Sequence, residues 1–107
     1  MALKTNDKYQ WTQHSIYKMR HYGLSQQRVK RIIRHPERTE EAIVPDMIAV
    51  MAQNKKQEIW AMYTIIKSKI KNQNSKLKII TAWRYPGKSP ARDPIPQEIL
   101  DEIRSIV

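Results

Sequence analysis

The stretch Leu77-Lys78-Ile79-Ile80-Thr81-Ala82-Trp83-Arg84-Tyr85 decides the fold class. Successive side chains of a strand point to opposite faces, so strict alternation places Leu77, Ile79, Thr81, Trp83 and Tyr85 together and Lys78, Ile80, Ala82 and Arg84 opposite. Both sets contain apolar residues. The segment therefore reads as a central strand, over about Lys76 to Tyr85, with both faces partly covered. Upstream, the same period of two recurs near Thr39 to Val44, Met47 to Gln53 and Glu58 to Lys67. Asn54-Lys55-Lys56 and Ser68 to Ser75 are polar connectors of hairpin type, and short links of this kind join antiparallel strands. Trp60 and Tyr63 read as core or interface, and Trp83 and Tyr85 as core.

Before Pro36 the period is helical. Trp11 to Tyr22 carries Ile16 and Met19 on one side and His14, Lys18 and His21 on another. Gly23 is suited to end that helix and Ser25 to cap the next. In the second helix Val29, Ile32 and Ile33 form the inward stripe, Arg28, Lys30, Arg31 and Arg34 stay in solvent, and Pro36 terminates it. Beyond the strands, Pro86 to Pro90 is a turn. Pro96 suits the first turn of a last helix whose apolar stripe is Ile99, Leu100, Ile103, Ile106 and Val107. The order helix, helix, three to four strands, helix predicts an α+β domain with a sheet covered on at least one side.

At 107 residues the chain is the size of one domain. It has no cysteine, so disulfides, thiolate catalysis and cysteine-based zinc sites are excluded, and a reducing cytoplasm is the default compartment. The longest apolar run, around Ile48 to Ala52, falls far short of the roughly 18 residues a membrane-spanning helix needs. Residues 1 to 9 lack the apolar core of a secretory signal.

Charge is more informative. Twenty Lys and Arg face ten Asp and Glu, a net charge of +10. Residues 1 to 35 hold Asp7 as their one acid, Lys67 to Lys78 hold none, and the acids gather mid-chain and near the C-terminus. A basic surface of this kind suits a polyanion, with an ordinary lysine-rich solvated surface as the alternative. Gly87-Lys88-Ser89 is not a phosphate loop, because position 82 is Ala where that motif needs Gly. His14 and His21 lie about 10 Å apart along a helix, too far to share a metal ion. No metal or cofactor is expected. The acids also lie away from the basic face in sequence, so two-carboxylate hydrolysis lacks its parts.

What remains is a basic and aromatic set: His14, Lys18, Arg20, Trp83, Arg84, Tyr85 and Lys88. Metal-free cleavage of RNA needs a base for the 2′-hydroxyl, an acid for the leaving oxygen and cations for the charge growing on phosphorus. Histidine serves as either base or acid near neutral pH. The candidate catalytic residues are His14, Arg84 and Tyr85, and the candidate RNA or phosphate contacts are Lys18, Arg20, Arg28, Arg31 and Lys88.

The series His14-x-x-x-Lys18-Met19-x-x-Tyr22-Gly23-Leu24-Ser25, followed by Val29, Ile32-Ile33 and Pro36 and later by Ile79-Ile80-Thr81-Ala82-Trp83-Arg84, resembles a group of small bacterial domains. Those domains open on His-x-x-x-Arg-Met-x-x-Arg-Gly-Ile-Ser and are grouped with RelE-like proteins in the barnase, EndoU and colicin superfold. The resemblance covers residues 9 to 85. It implies two N-terminal helices packed on a curved antiparallel sheet, and kinship with metal-independent RNases that are toxins held by an acidic antitoxin. Lys18 stands where those domains have Arg, and Tyr22 where they have a second Arg. Lysine does not replace a bidentate guanidinium grip. His14 and Arg84 match motif positions; Arg20, Tyr85 and Lys88 are added from charge and proximity. The turn and helix at 86 to 107 lie outside the resemblance and either pack across the sheet or meet a partner, including a second copy of the chain.

Three functions stay open on these grounds. The leading one is a metal-independent endoribonuclease of toxin type. The second is a non-catalytic RNA-binding or ribosome-associated module, and the third a protein-interaction domain for an acidic partner.

Overall fold

The computed structural model describes residues 8–41, 43–67, 75–90 and 95–106. Its elements run β1 (Tyr9–Trp11), α1 (Gln13–Tyr22), α2 (Gln26–Arg34), β2 (Arg38–Glu41), β3 (Ile48–Asn54), β4 (Gln57–Ile66), β5 (Lys76–Pro86) and α3 (Gln97–Ile106). The fold is α+β, with five strands in the order β1-β5-β4-β3-β2. All neighbours are antiparallel except β1 and β5, which are parallel. The expectation of three to four antiparallel strands misses β1, and the first helix begins at Gln13 rather than Trp11. Tyr9 to Trp11 pairs instead with Leu77 to Ile79, and the Leu77 N–H donates to the Lys8 carbonyl at 2.8 Å. Three residues are too few to display a period of their own.

Local chemistry sets the helix ends. The Thr12 hydroxyl accepts from the Ser15 N–H at 3.0 Å, which caps α1, and donates to the Ile79 carbonyl at 2.7 Å, which fastens that cap to β5. Gly23 closes α1 in the left-handed region, with φ 67° and ψ 41°. Leu24 N–H then reaches back to the Met19 carbonyl at 2.7 Å and the Leu24 side chain is buried, so the backbone reversal is sealed by an apolar contact. The Ser25 hydroxyl caps α2 by accepting from Arg28 N–H, as its position before the apolar stripe predicts.

The sheet is covered on both faces. One face carries Met19, Leu24, Val29 and Ile32 from the α1–α2 pair, packed on Val50, Ile59, Ala61, Leu77, Ile79 and Ala82. The other carries Ile95 and, from α3, Ile99 and Ile103, packed on Ala49, Met51, Trp60, Met62, Ile80 and Trp83. The last helix thus packs across the sheet of its own chain. Trp60 and Trp83 are cross-strand partners, both fully buried, with rings stacked 5.8 Å apart at 2°. Burying two such side chains removes about 400 Å² from water, roughly 10 kcal/mol at the usual transfer coefficient, which makes this pair the centre of the α3 face.

The alternation expected along β5 breaks once. Met62 pairs with Thr81 and Tyr63 with Ile79, so Ile80 is an extra residue opposite no partner. This bulge reverses the faces beyond it. Leu77 and Ile79 face the α1–α2 pair, whereas Trp83 and Tyr85 face α3 and Ala82 takes the helix-pair side. Pairing of β2 likewise stops at Glu41 instead of Val44; Ile43 and Val44 pack against the α3-side core instead. Of the second connector, residues 68 to 74 lie outside the described residues, as do residues 1 to 7.

Candidate nucleic-acid interface

Helix α2 holds Arg28, Lys30, Arg31 and Arg34 and no acid. Its apolar stripe is consumed by the sheet, with Val29 and Ile32 buried, so the guanidinium groups are directed outward. Among the described residues, none of these four cations pairs with a carboxylate. Lys30 Nζ lies 5.1 Å from the centre of the Tyr9 ring, and Arg34 Nε donates to the Tyr9 hydroxyl at 3.4 Å. These neutral contacts orient the cations without cancelling their charge.

Between α2 and the end of β3 runs a cleft of about 290 Å³. Arg28, Arg31 and His35 border it from the helix and its C-terminal end, and Gln53 and Asn54 stand on the strand side; Ile32, Ala52 and Ile59 form its apolar lining. Glu37 also borders it, with its carboxylate accepting from the Gln53 backbone N–H at 2.8 Å. A second hollow on the outer side of the helix is lined by Gln27, Arg31, Arg34 and His35. Arg31 and His35 border both.

The set expected to act catalytically is not assembled at one point. His14 sits in the first turn of α1, while Arg84 Nε donates to the carbonyl of Tyr22, the last residue of that helix, at 2.7 Å. Arg84 Nη1 also donates to Gln57 Oε1. Eight residues of helix span about 12 Å, so His14 and Arg84 mark opposite ends of α1. Tyr85 packs in the α3-side cluster, on the opposite face from Ala82. Arg20 and Lys88 are exposed.

Lys18, expected as a phosphate contact, is 3% exposed. Its Nζ donates to Glu102 Oε2 of α3 at 3.1 Å and lies 5.2 Å from the Tyr22 ring centre. His14 Nε2 stands 3.4 Å from Glu102 Oε1. Both atoms are buried and neither completes a well-directed hydrogen bond, and the same holds for Thr81 Oγ1 and Trp83 Nε1 on β5. The expectation that the acids stay away from the basic set therefore fails at Glu102. No local pattern announces that encounter, because it depends on α3 crossing the sheet.

A further carboxylate, Glu58, is 2% exposed. Burial pushes its carboxyl up, but hydrogen bonds from Ser89 and Trp60, together with the nearby Arg38 guanidinium, outweigh that and hold it below the usual carboxylate range. Arg38 donates to Glu40, Ser89 Oγ and the Pro90 carbonyl and lies over the Trp60 ring. This network ties the segment after Gly87 to the sheet and has no group exposed for chemistry at Glu58.

Among the described residues, no three His, Asp or Glu side chains cluster to hold a metal ion, and no helix is long and apolar enough to cross a membrane. The chain matches no protein-family model, no curated protein and no solved structure.

Proposed function

We propose that this chain is an RNA-binding domain that meets the phosphate backbone with the outer face of α2. The observation that carries the reading is the run Arg28, Lys30, Arg31 and Arg34 on one short helix, without a carboxylate partner among the described residues. Four cations on one helix, two of them bordering the cleft, cost self-repulsion in the free protein, and that cost is recovered when phosphates replace condensed counterions. A cytoplasmic location, free or ribosome-bound RNA as the target and an acidic antitoxin as competitor for the same face go with this reading.

The test compares two charge reversals by fluorescence anisotropy with a labelled oligoribonucleotide. Arg28→Glu/Arg31→Glu is expected to abolish binding, whereas Arg104→Glu/Lys67→Glu, an equal charge change away from α2, weakens it only modestly. Equal loss in both pairs would reduce the interaction to net charge and overturn the α2 assignment.

A metal-independent ribonuclease of toxin type is the second reading, favoured by the meeting of His14, Lys18 and Glu102. A histidine, a carboxylate and a cation are the groups that acid–base cleavage of RNA requires. The RelE-like resemblance belongs with it, supported by His14, Gly23-Leu24-Ser25 and the strand ending in Thr81-Ala82-Trp83-Arg84. Against it stands access, since Lys18 and His14 Nε2 are covered. Cleavage of RNA in EDTA by the wild type but not by His14→Ala would make this the better reading.

A further inference from the structure

Phosphate contacts position a protein on nucleic acid but carry no sequence information; discrimination comes from contacts to bases. The cleft beside α2 has the parts for the second task as well as the first. Its lining is apolar at Ile32, Ala52 and Ile59, the strand side offers the side-chain amide of Asn54 and the backbone of Gln53, and the helix side holds Arg28 and Arg31. We infer that this cleft is a nucleotide pocket that takes one unpaired base of a single-stranded RNA, with the adjoining phosphates on Arg28 and Arg31. This inference rests on α2 being the RNA-binding face.

The chemistry selects the ligand class. A volume of about 290 Å³ is at the small end of ligand sites and holds a planar ring system with its sugar, but not a stacked base pair. An apolar lining accepts the face of a base, and the exposed His35 in the same lining supplies a second flat surface. The Asn54 side-chain amide presents both a donor and an acceptor, which is what the polar edge of a base requires. Glu37, held by the Gln53 N–H, adds an acceptor on the rim and disfavours a phosphate there. The phosphates are therefore directed to the helix side. Bases in a duplex are stacked and paired and cannot enter, so the pocket distinguishes single strands from double strands, whereas the cations alone would not.

The experiment fills the pocket without touching its charge. Ala52 is half-buried in the lining, and Ala52→Met projects a side chain into the space a base would take. Affinity is measured for a labelled single-stranded oligoribonucleotide and for a duplex of the same sequence, with inorganic polyphosphate as a base-free competitor. The wild type is expected to prefer the single strand, and Ala52→Met to lower single-strand affinity about tenfold while leaving the duplex unchanged. Unchanged single-strand binding by a folded Ala52→Met variant would overturn the pocket alone. Polyphosphate displacing the single strand at equal phosphate concentration would do the same. Failure of the wild type to bind any of the three would overturn the RNA-binding reading together with it. If Ala52→Met does not fold, Asn54→Ala on the strand side of the cleft decides. An altered ranking among oligo-A, oligo-C, oligo-G and oligo-U supports base contact, and an identical ranking removes it.

Discussion

Glu102 and Lys18 are 84 positions apart in the chain and 3.1 Å apart in the fold. Lys18 is almost fully buried, so its ammonium has surrendered most of its hydration, while the Glu102 side chain keeps 30% of its exposure. The pair is therefore asymmetric. Lysine depends on glutamate more than glutamate depends on lysine, and α3 is docked on α1 by a charge as well as on the sheet by its isoleucines. Removing one partner of a buried pair costs more than removing both. Glu102→Leu should destabilise the protein by about 2 to 4 kcal/mol. Lys18→Met/Glu102→Leu should recover most of that loss, as read from urea unfolding midpoints at constant slope.

Glu58 sets an acid limit to stability. Its carboxyl is held below the ordinary glutamate value of about 4.3, so the folded state binds the proton less readily than the unfolded chain. The stabilisation is complete above that ordinary value and drains away as pH falls through the lower, folded-state value. Glu58→Gln should cost about 1.5 to 3 kcal/mol at neutral pH, the range for hydrogen bonds to a charged group, and the difference from wild type should shrink on acidification. Denaturant titrations at a series of pH values check both the size and the sign; a gap that widens toward low pH would contradict the assignment.

Gly23 tests backbone chemistry apart from packing. Its φ is +67° and a Cβ there would meet no atom within 4 Å, so the cost of Gly23→Ala is that of the left-handed conformation alone. Thermal unfolding should show a loss of about 1 to 2 kcal/mol. Gly23→Asn, which tolerates that region better, should lose less.

Thr12 joins two elements through one hydroxyl, capping α1 and donating to the Ile79 carbonyl beside the bulge. Thr12→Val keeps the shape and removes both bonds. A destabilisation of about 1 to 2 kcal/mol is expected. Amide hydrogen exchange should show the loss concentrated in the first turn of α1 and in β1, since the β1 edge is short and gains its order from this junction.

Binding of RNA through α2 should follow salt in a countable way. For single strands the slope of log affinity against log salt is about −0.7 per phosphate neutralised, so Arg31→Gln should make the slope shallower by about that amount. Arg38→Gln should leave the slope unchanged while lowering stability, because Arg38 is already committed to Glu40, Ser89 and Pro90.

Much of the fold is legible in the chain because its signals are local. Gly23 and Ser25 mark a helix end and a helix start through requirements met within a few residues, and the change of period after Pro36 separates helices from strands. The bulge is not legible. The adjacent Ile79 and Ile80 satisfy either face, so a skipped register leaves no trace in the pattern, and Trp83 exchanges one core for the other. β1 is hidden for a different reason: Tyr9 and Trp11 acquire a strand partner only when β5 arrives from the far end of the chain.

The charge surplus, the polarity of α2 and the α+β class were determined by the sequence itself, because composition and short-range periodicity suffice for them. Which cations remain available was decided only by tertiary structure. Lys18 is neutralised by Glu102, Arg38 is held by Ser89 and Pro90, and Arg84 is spent on the Tyr22 carbonyl and Gln57. Arg28 and Arg31 are left beside an open cleft. The physical reason is range: an ion pair or hydrogen bond forms only within a few ångströms, and the groups that come that close to Lys18, Arg38 and Arg84 are mostly distant in sequence and are brought there by packing.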